Sequence, residues 1–172
     1  MASGLAGNEL ITEKNADYKI FVEGLTEAFK SLAKQLAGDG EGATKLLVCK
    51  VDGAKTKKDA VTVSKSIICS SLLKAAMFGA DANWGRVLCA IGYSGADVDV
   101  TKVEVSFESA KGKILVCKNG AGVEFSEEKA KEILLEKEIN ILVSLGDGNG
   151  KAEAYGCDLT YDYVKINGDY RT

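Results

Sequence analysis

Histidine and proline are both absent from these 172 residues. Without histidine the chain cannot build a Ser-His-Asp or Cys-His pair of its own, and it lacks the commonest transition-metal ligand. Acid–base work then falls to carboxylates, lysine, tyrosine, a terminal amine or another chain. Without proline, a low-complexity stretch or an internal repeat, nothing marks a boundary, and the length predicts one domain over residues 1–172. No apolar run approaches the roughly 18 residues that cross a bilayer. No charged segment followed by an apolar one opens the chain as a secretory leader would. No membrane partner is expected, and the expected location is the cytoplasm. Positive charge is also short: net charge is −3 and pI about 5.2, against the basic face that nucleic acid requires. The five cysteines are widely spaced and odd in number, which suits reduced, buried thiols better than a disulfide set. No C-x-x-C is present, so no zinc or other metal site is predicted.

What is present is ordinary for a globular core: 46% hydrophobic and 27% charged residues. A chain of this length buries about 70% of its extended surface. Ile20, Phe21, Leu25, Ala28, Phe29, Leu32 and Leu36 recur at helical spacing, predicting a long helix capped by Asn15 or Asp17 with one apolar stripe. Gly38-Asp39-Gly40 stops it. Leu47, Cys49 and Val51 alternate on one face of a strand over 44–51. The basic run 55–58 reads as a solvated first helical turn. Residues 60–77 form one helix, with Val61, Val63, Ser64, Ile67, Ile68, Ser71 and Leu72 on or near its buried face. The serines of 66–71 suggest close packing against a neighbour. Strands over 102–108 and 113–118 pair as a hairpin, and 119–122 is a loop. Ser126 with Glu128 opens a helix over 127–135. A strand over 138–145, the turn Gly146–Gly150 and a strand over 151–156 read as a second hairpin. The sum is α+β: a mostly antiparallel sheet with packed helices.

The densest stretch is 74–97, KAAMFGADANWGRVLCAIGYSGAD. It holds the single tryptophan, Trp84, with Gly79, Gly85, Gly92 and Gly95 around a polar turn. Asn83 is a suitable helix N-cap, and Gly92 and Gly95 suit helix stops and turns. Trp84 and Arg86 read as core packing with a stacked or paired guanidinium. A second glycine-rich stretch, GDGEG at 38–42, lacks the G-K-[ST] ending of a phosphate loop. Glu41 among glycines has two readings: an exposed acid in a helix-stop loop, or a fixed charge that holds an ammonium group at close backbone approach.

Three stretches together, FGADANWGRVLCAIGYSGAD, DGEGATK at 39–45 and GCDLTYDYVKINGDYRT at 156–172, resemble the glutamate N-acetyltransferase (ornithine acetyltransferase) family of arginine biosynthesis. The likeness runs from Ala2 to the last residue. It implies an α/β sandwich like that of the N-terminal-nucleophile aminopeptidases, and the C-terminal part of a β chain. Family enzymes cleave themselves before a threonine. That threonine, newly N-terminal, takes the acetyl group from N-acetylornithine and passes it to glutamate, and some members also use acetyl-CoA. The terminal amine beside the hydroxyl takes its proton.

Carried over by position, the resemblance assigns substrate binding to Glu41, Asn167 and Thr172, with Trp84 and Arg86 holding the framework. The nucleophile falls upstream of the stretch matching 2–8, so no catalytic residue is assigned within this chain, and Thr12, Thr44 and Thr160 lack the matching context. The implied partners are N-acetylornithine, glutamate, the α chain and the missing N-terminal β segment, in an α2β2 heterotetramer; no cofactor is implied. The chain alone is expected to be inactive, and to need its partner segment to cover a sheet edge and an apolar face. A hydrolase of the N-terminal-nucleophile aminopeptidase type and a non-catalytic binding or assembly subunit are the alternatives. The central expectation is that Glu41 meets a folded-in chain end.

Overall fold

The computed structural model describes residues 4–170, and short polar side chains set where its helices begin. Thr56, Ser70, Asn83, Ser126 and Thr160 each accept a backbone N–H three residues on, from Asp59, Leu73, Arg86, Lys129 and Tyr163. Each bond satisfies a donor that the first helical turn leaves without a partner. The helices are α1 (Ala16–Gly38), α2 (Lys57–Cys69), α3 (Ser71–Phe78), α4 (Trp84–Gly92), α5 (Glu127–Leu134) and α6 (Tyr161–Asp169), with a 3-10 turn at Val100–Lys102. The strands are β1 (Leu46–Ala54), β2 (Glu104–Ser109), β3 (Gly112–Lys118), β4 (Ala121–Gly122), β5 (Glu138–Ser144) and β6 (Gly150–Cys157).

The chain divides into two compact units, one ending at Ala33 and one starting at Lys34. The first holds an irregular opening segment and most of α1, which the Asn15 side chain opens by accepting from Tyr18 N at 3.0 Å. The expected apolar stripe of α1 is present, but Ile20, Phe21, Leu25, Phe29, Leu32 and Leu36 are all exposed. Helical spacing shows that a face exists; it does not supply the layer that would cover it.

The second unit is built on a six-stranded sheet in the order β4-β3-β2-β5-β1-β6. Only β1 and β5 run parallel; the other neighbouring pairs are antiparallel. Leu47, Cys49 and Val51 lie opposite Ile139, Ile141 and Val143, and Val105 and Phe107 continue that face through β2. All of these are buried, in one cluster with Val63 and Ile67 of α2, Leu73 and Met77 of α3, Val87 and Ile91 of α4, and Ile133 and Leu134 of α5. Each such side chain contributes about 1.5–3 kcal/mol by leaving water. Alternation puts Lys50, Asn140, Ser144, Glu104 and Glu108 on the opposite face. Among the described residues no single helix is long and apolar enough to cross a membrane.

The structure differs from the sequence reading in three places. Strand β6 does not pair with β5 as a hairpin: β1 lies between them, parallel to β5 and antiparallel to β6. The turn Gly146–Gly150 therefore spans two inter-strand spacings, about 10 Å, and is fastened to the end of β1 by Leu145 N to Asp52 O at 2.9 Å and Asp147 N to Gly53 O at 2.8 Å. Gly53 has φ +68°, and a Cβ there would stand 2.7 Å from Gly146 N. Only glycine lets β1 bulge against the crossing turn.

The single helix expected over 60–77 is two, bent by 58°. Ser70 leaves the helical conformation and caps α3, so Leu72 turns outward and is exposed. The serine-rich patch does pack closely: Ser64 is buried, and Ser66 donates to Ala90 O of α4 at 2.7 Å. The expected loop at 119–122 contains β4, which pairs with β3. The chain leaving β6 continues as α6.

Candidate functional site

Glu41 sits where α1 gives way to β1. Asp39 N and Ala43 N bond back to Gln35 O and Gly40 O, at 3.0 and 2.9 Å, so the loop is a tight turn. Its two flanking glycines have distinct reasons. A Cβ on Gly40 would stand 2.6 Å from Cys157 Sγ. Gly42 has φ +67°, and a Cβ there would stand 2.8 Å from Tyr163 N and 3.2 Å from Asp162. The loop thus lies directly against the first turn of α6, at a contact closer than any side chain allows.

Three buried groups fasten it there. Thr160 accepts from Tyr163 N at 3.1 Å, capping α6, and its hydroxyl donates to Gly42 O at 2.7 Å. Asp158 is 3% exposed. It accepts from Thr44 N at 2.8 Å and Lys45 N at 3.0 Å, and from the Thr44 hydroxyl. Lys45 is 8% exposed, and its ammonium donates to Met77 O at 2.6 Å and Phe78 O at 3.3 Å, at the carbonyl end of α3. That position suits a cation. Burial holds the Lys45 ammonium below the usual lysine pKa, and the Asp158 charge works in the opposite direction. The Phe78 ring meets Tyr161 of α6 edge-on, with centroids 5.5 Å apart.

The outcome is a direct bond between two of the three residues the resemblance singles out. Asn167 Nδ2 donates to Glu41 Oε2 at 2.7 Å and to Tyr163 O at 2.9 Å. Both side chains are exposed. Thr172 lies outside the described residues. The two acceptors around Nδ2 fix the amide orientation, since an oxygen there would face two oxygens. Both amide hydrogens are thereby engaged, and Asn167 offers a ligand only its carbonyl oxygen. Glu41 offers carboxylate oxygen. Together they form an acceptor-only pair, which suits an amino or ammonium group and repels an anion. Among the described residues no group of three His, Cys, Asp or Glu is placed to hold a metal ion.

Trp84 and Arg86 have structural contacts. The Trp84 indole lies over Gly122 of β4, where a Cβ would come within 2.5 Å of the ring. Arg86 Nη1 donates to Leu72 O at 2.7 Å. The residues that sequence reading missed are Asp158, Thr160, Thr44 and Lys45. Only Thr160 carries a local signal, a threonine three residues before a helical N–H; the partners of Asp158 lie more than a hundred residues away.

This is an α+β chain in which a glycine-flanked acid and the helix α6 meet at a polar corner. The crystal structure of arginine biosynthesis bifunctional protein ArgJ from Bacillus halodurans superposes with a TM-score of 0.89 at 46% identity, covering 98% of this chain and 78% of that one. The sequence model of the ArgJ family matches residues 1–172, and the chain belongs to that family. Among curated relatives, the arginine biosynthesis bifunctional protein ArgJ of Caldanaerobacter subterraneus is 52% identical over 172 residues. ArgJ 1 of Clostridium acetobutylicum is 50% identical over the same length. The chain is covered completely in both and spans 43% and 42% of those relatives.

Proposed function

We propose that this chain supplies the amino-acid-binding part of a glutamate N-acetyltransferase that moves acetyl from N-acetylornithine to glutamate in arginine biosynthesis. The observation that carries it is the Glu41–Asn167 hydrogen bond, which leaves two acceptor oxygens facing a ligand and matches the amino group shared by ornithine and glutamate. The resemblance assigns Thr172, which lies outside the described residues, to the same site. The threonine nucleophile belongs to polypeptide upstream in the family, so the chain alone transfers no acetyl group. Joined to its α chain and N-terminal β segment it works as an α2β2 assembly, without a resident cofactor and with acetyl-CoA as an additional donor in some members. A cytoplasmic setting agrees with five free cysteines.

The test uses a chimera in which this chain replaces the matching region of Caldanaerobacter ArgJ. Acetyl transfer from N-acetylornithine to glutamate is expected from the chimera and absent from the chain alone. A charge-assisted bond is worth about 1.5–3 kcal/mol, so Glu41→Gln raises the KM for glutamate about 10- to 100-fold. An unchanged KM would remove Glu41 from the site. Acetate release that ignores added glutamate would instead identify a hydrolase.

A further inference from the structure

Glu41 and Asn167 stand on separate elements, and both are exposed. An exposed pair of this kind keeps its geometry only if something beneath it fixes both elements. The groups beneath are Thr160 and Asp158, each nearly fully buried and each bonded across the junction between the Glu41 loop and α6. Thr160 is the more informative because one hydroxyl has two bonds with separable roles. As acceptor it holds Tyr163 N and starts the helix. As donor it holds Gly42 O, next to Glu41. Asn167 lies two turns further along that helix, tied to it through Tyr163 O. The path from the ligand-facing acid to the ligand-facing amide is therefore Glu41, Gly42, Thr160, Tyr163 and Asn167, without a gap.

We infer that Thr160 is a positioning residue for the amino-acid site: its hydroxyl registers the Glu41 loop against the helix that carries Asn167. This rests on the reading of Glu41 and Asn167 as ligand-binding groups. The donor role is separable from the cap role by substitution. Serine keeps both bonds. Aspartate keeps the acceptor that caps the helix but has no hydrogen to donate to Gly42 O. Valine keeps the shape and loses both.

The experiment measures KM for glutamate and kcat in the chimeric ArgJ, with thermal midpoints to establish folding. Thr160→Ser is expected to match the parent within about twofold. Thr160→Asp is expected to fold and to raise KM about tenfold, the effect of one displaced hydrogen bond, with a smaller change in kcat. Should Thr160→Asp not fold, the comparison of Thr160→Val with Thr160→Ser decides: the same KM rise in valine alone supports the inference. A folded aspartate variant with parental KM, or valine and serine variants with equal KM, overturns it. The Glu41→Gln variant separates the two claims. If it raises KM while the Thr160 variants do not, positioning by Thr160 fails and the binding reading stands. If Glu41→Gln is silent, the binding reading fails and this inference falls with it.

Discussion

Asp158 offers the sharpest test of how the site is held. Its carboxylate is buried and takes three donors from two consecutive residues: Thr44 N, Lys45 N and the Thr44 hydroxyl. Asp158→Ala removes every acceptor at once. The Lys45 amide is then left in the interior without a partner, and the Thr44 amide loses its acceptor. A stranded donor costs about 1–3 kcal/mol, so the alanine variant loses about 3–5 kcal/mol. Asp158→Asn behaves differently. Its oxygen still receives both amides, its NH2 replaces the second oxygen, and the Thr44 hydroxyl turns from donor to acceptor. The loss is then about 1–2 kcal/mol, the difference between charged and neutral bonds. Urea denaturation gives both numbers. Thermal midpoints fall by about 2–4 °C per kcal/mol at this chain length, so alanine lowers the midpoint by roughly 6–20 °C and asparagine by less than half of that. Two results would refute the reasoning: an alanine variant within about 1 kcal/mol of the parent, or asparagine as damaging as alanine.

Two more substitutions probe other parts of the framework. Gly122→Ala drives a methyl into the Trp84 ring; overpacking of this kind costs about 1–3 kcal/mol, and the emission of the single tryptophan should shift, with unchanged emission and stability counting against the contact. Asp147, bonded to Lys102 and Lys55, has its carboxyl held below the ordinary aspartate range, first by the Lys102 hydrogen bond. The folded chain therefore binds fewer protons there than the unfolded chain, so the contribution is present above about 3.8 and disappears as pH falls below it. Asp147→Asn should flatten that part of the acid profile slightly, and salt should weaken the parent's advantage; equal profiles would show that the ion pairs contribute nothing.

What the sequence made legible follows the range of each signal. Helix starts at Asn83 and Ser126 were readable because a cap and its helix are adjacent. The alternation of Leu47, Cys49 and Val51 gave the apolar face of the strand over 44–51, since period is a local fact. The pairing of β6 was not readable. The turn Gly146–Gly150 carries every local mark of a hairpin, and nothing within it reports that β1, some ninety residues earlier, inserts between its two strands. The break at Ser70 is hidden for a related reason: an apolar period continues through 60–77, and one capping hydroxyl interrupts it. In the site, the glycine flanks offered Glu41 as one of two readings, and resemblance chose between them and supplied Asn167. The buried support under them, Asp158 with Thr44 and Thr160 with Gly42, is made entirely of long-range bonds, which no single-chain pattern encodes.

The most direct measurement is a crystal structure of the chimeric ArgJ with ornithine bound. An ornithine amino nitrogen is expected within hydrogen-bond distance, about 3 Å, of both the Glu41 carboxylate and the Asn167 carbonyl oxygen, with the Asn167 amide still donating to Glu41 and to Tyr163. Ornithine bound with its amino groups directed at other residues, or a carboxylate group seated on Glu41 and Asn167, would contradict it.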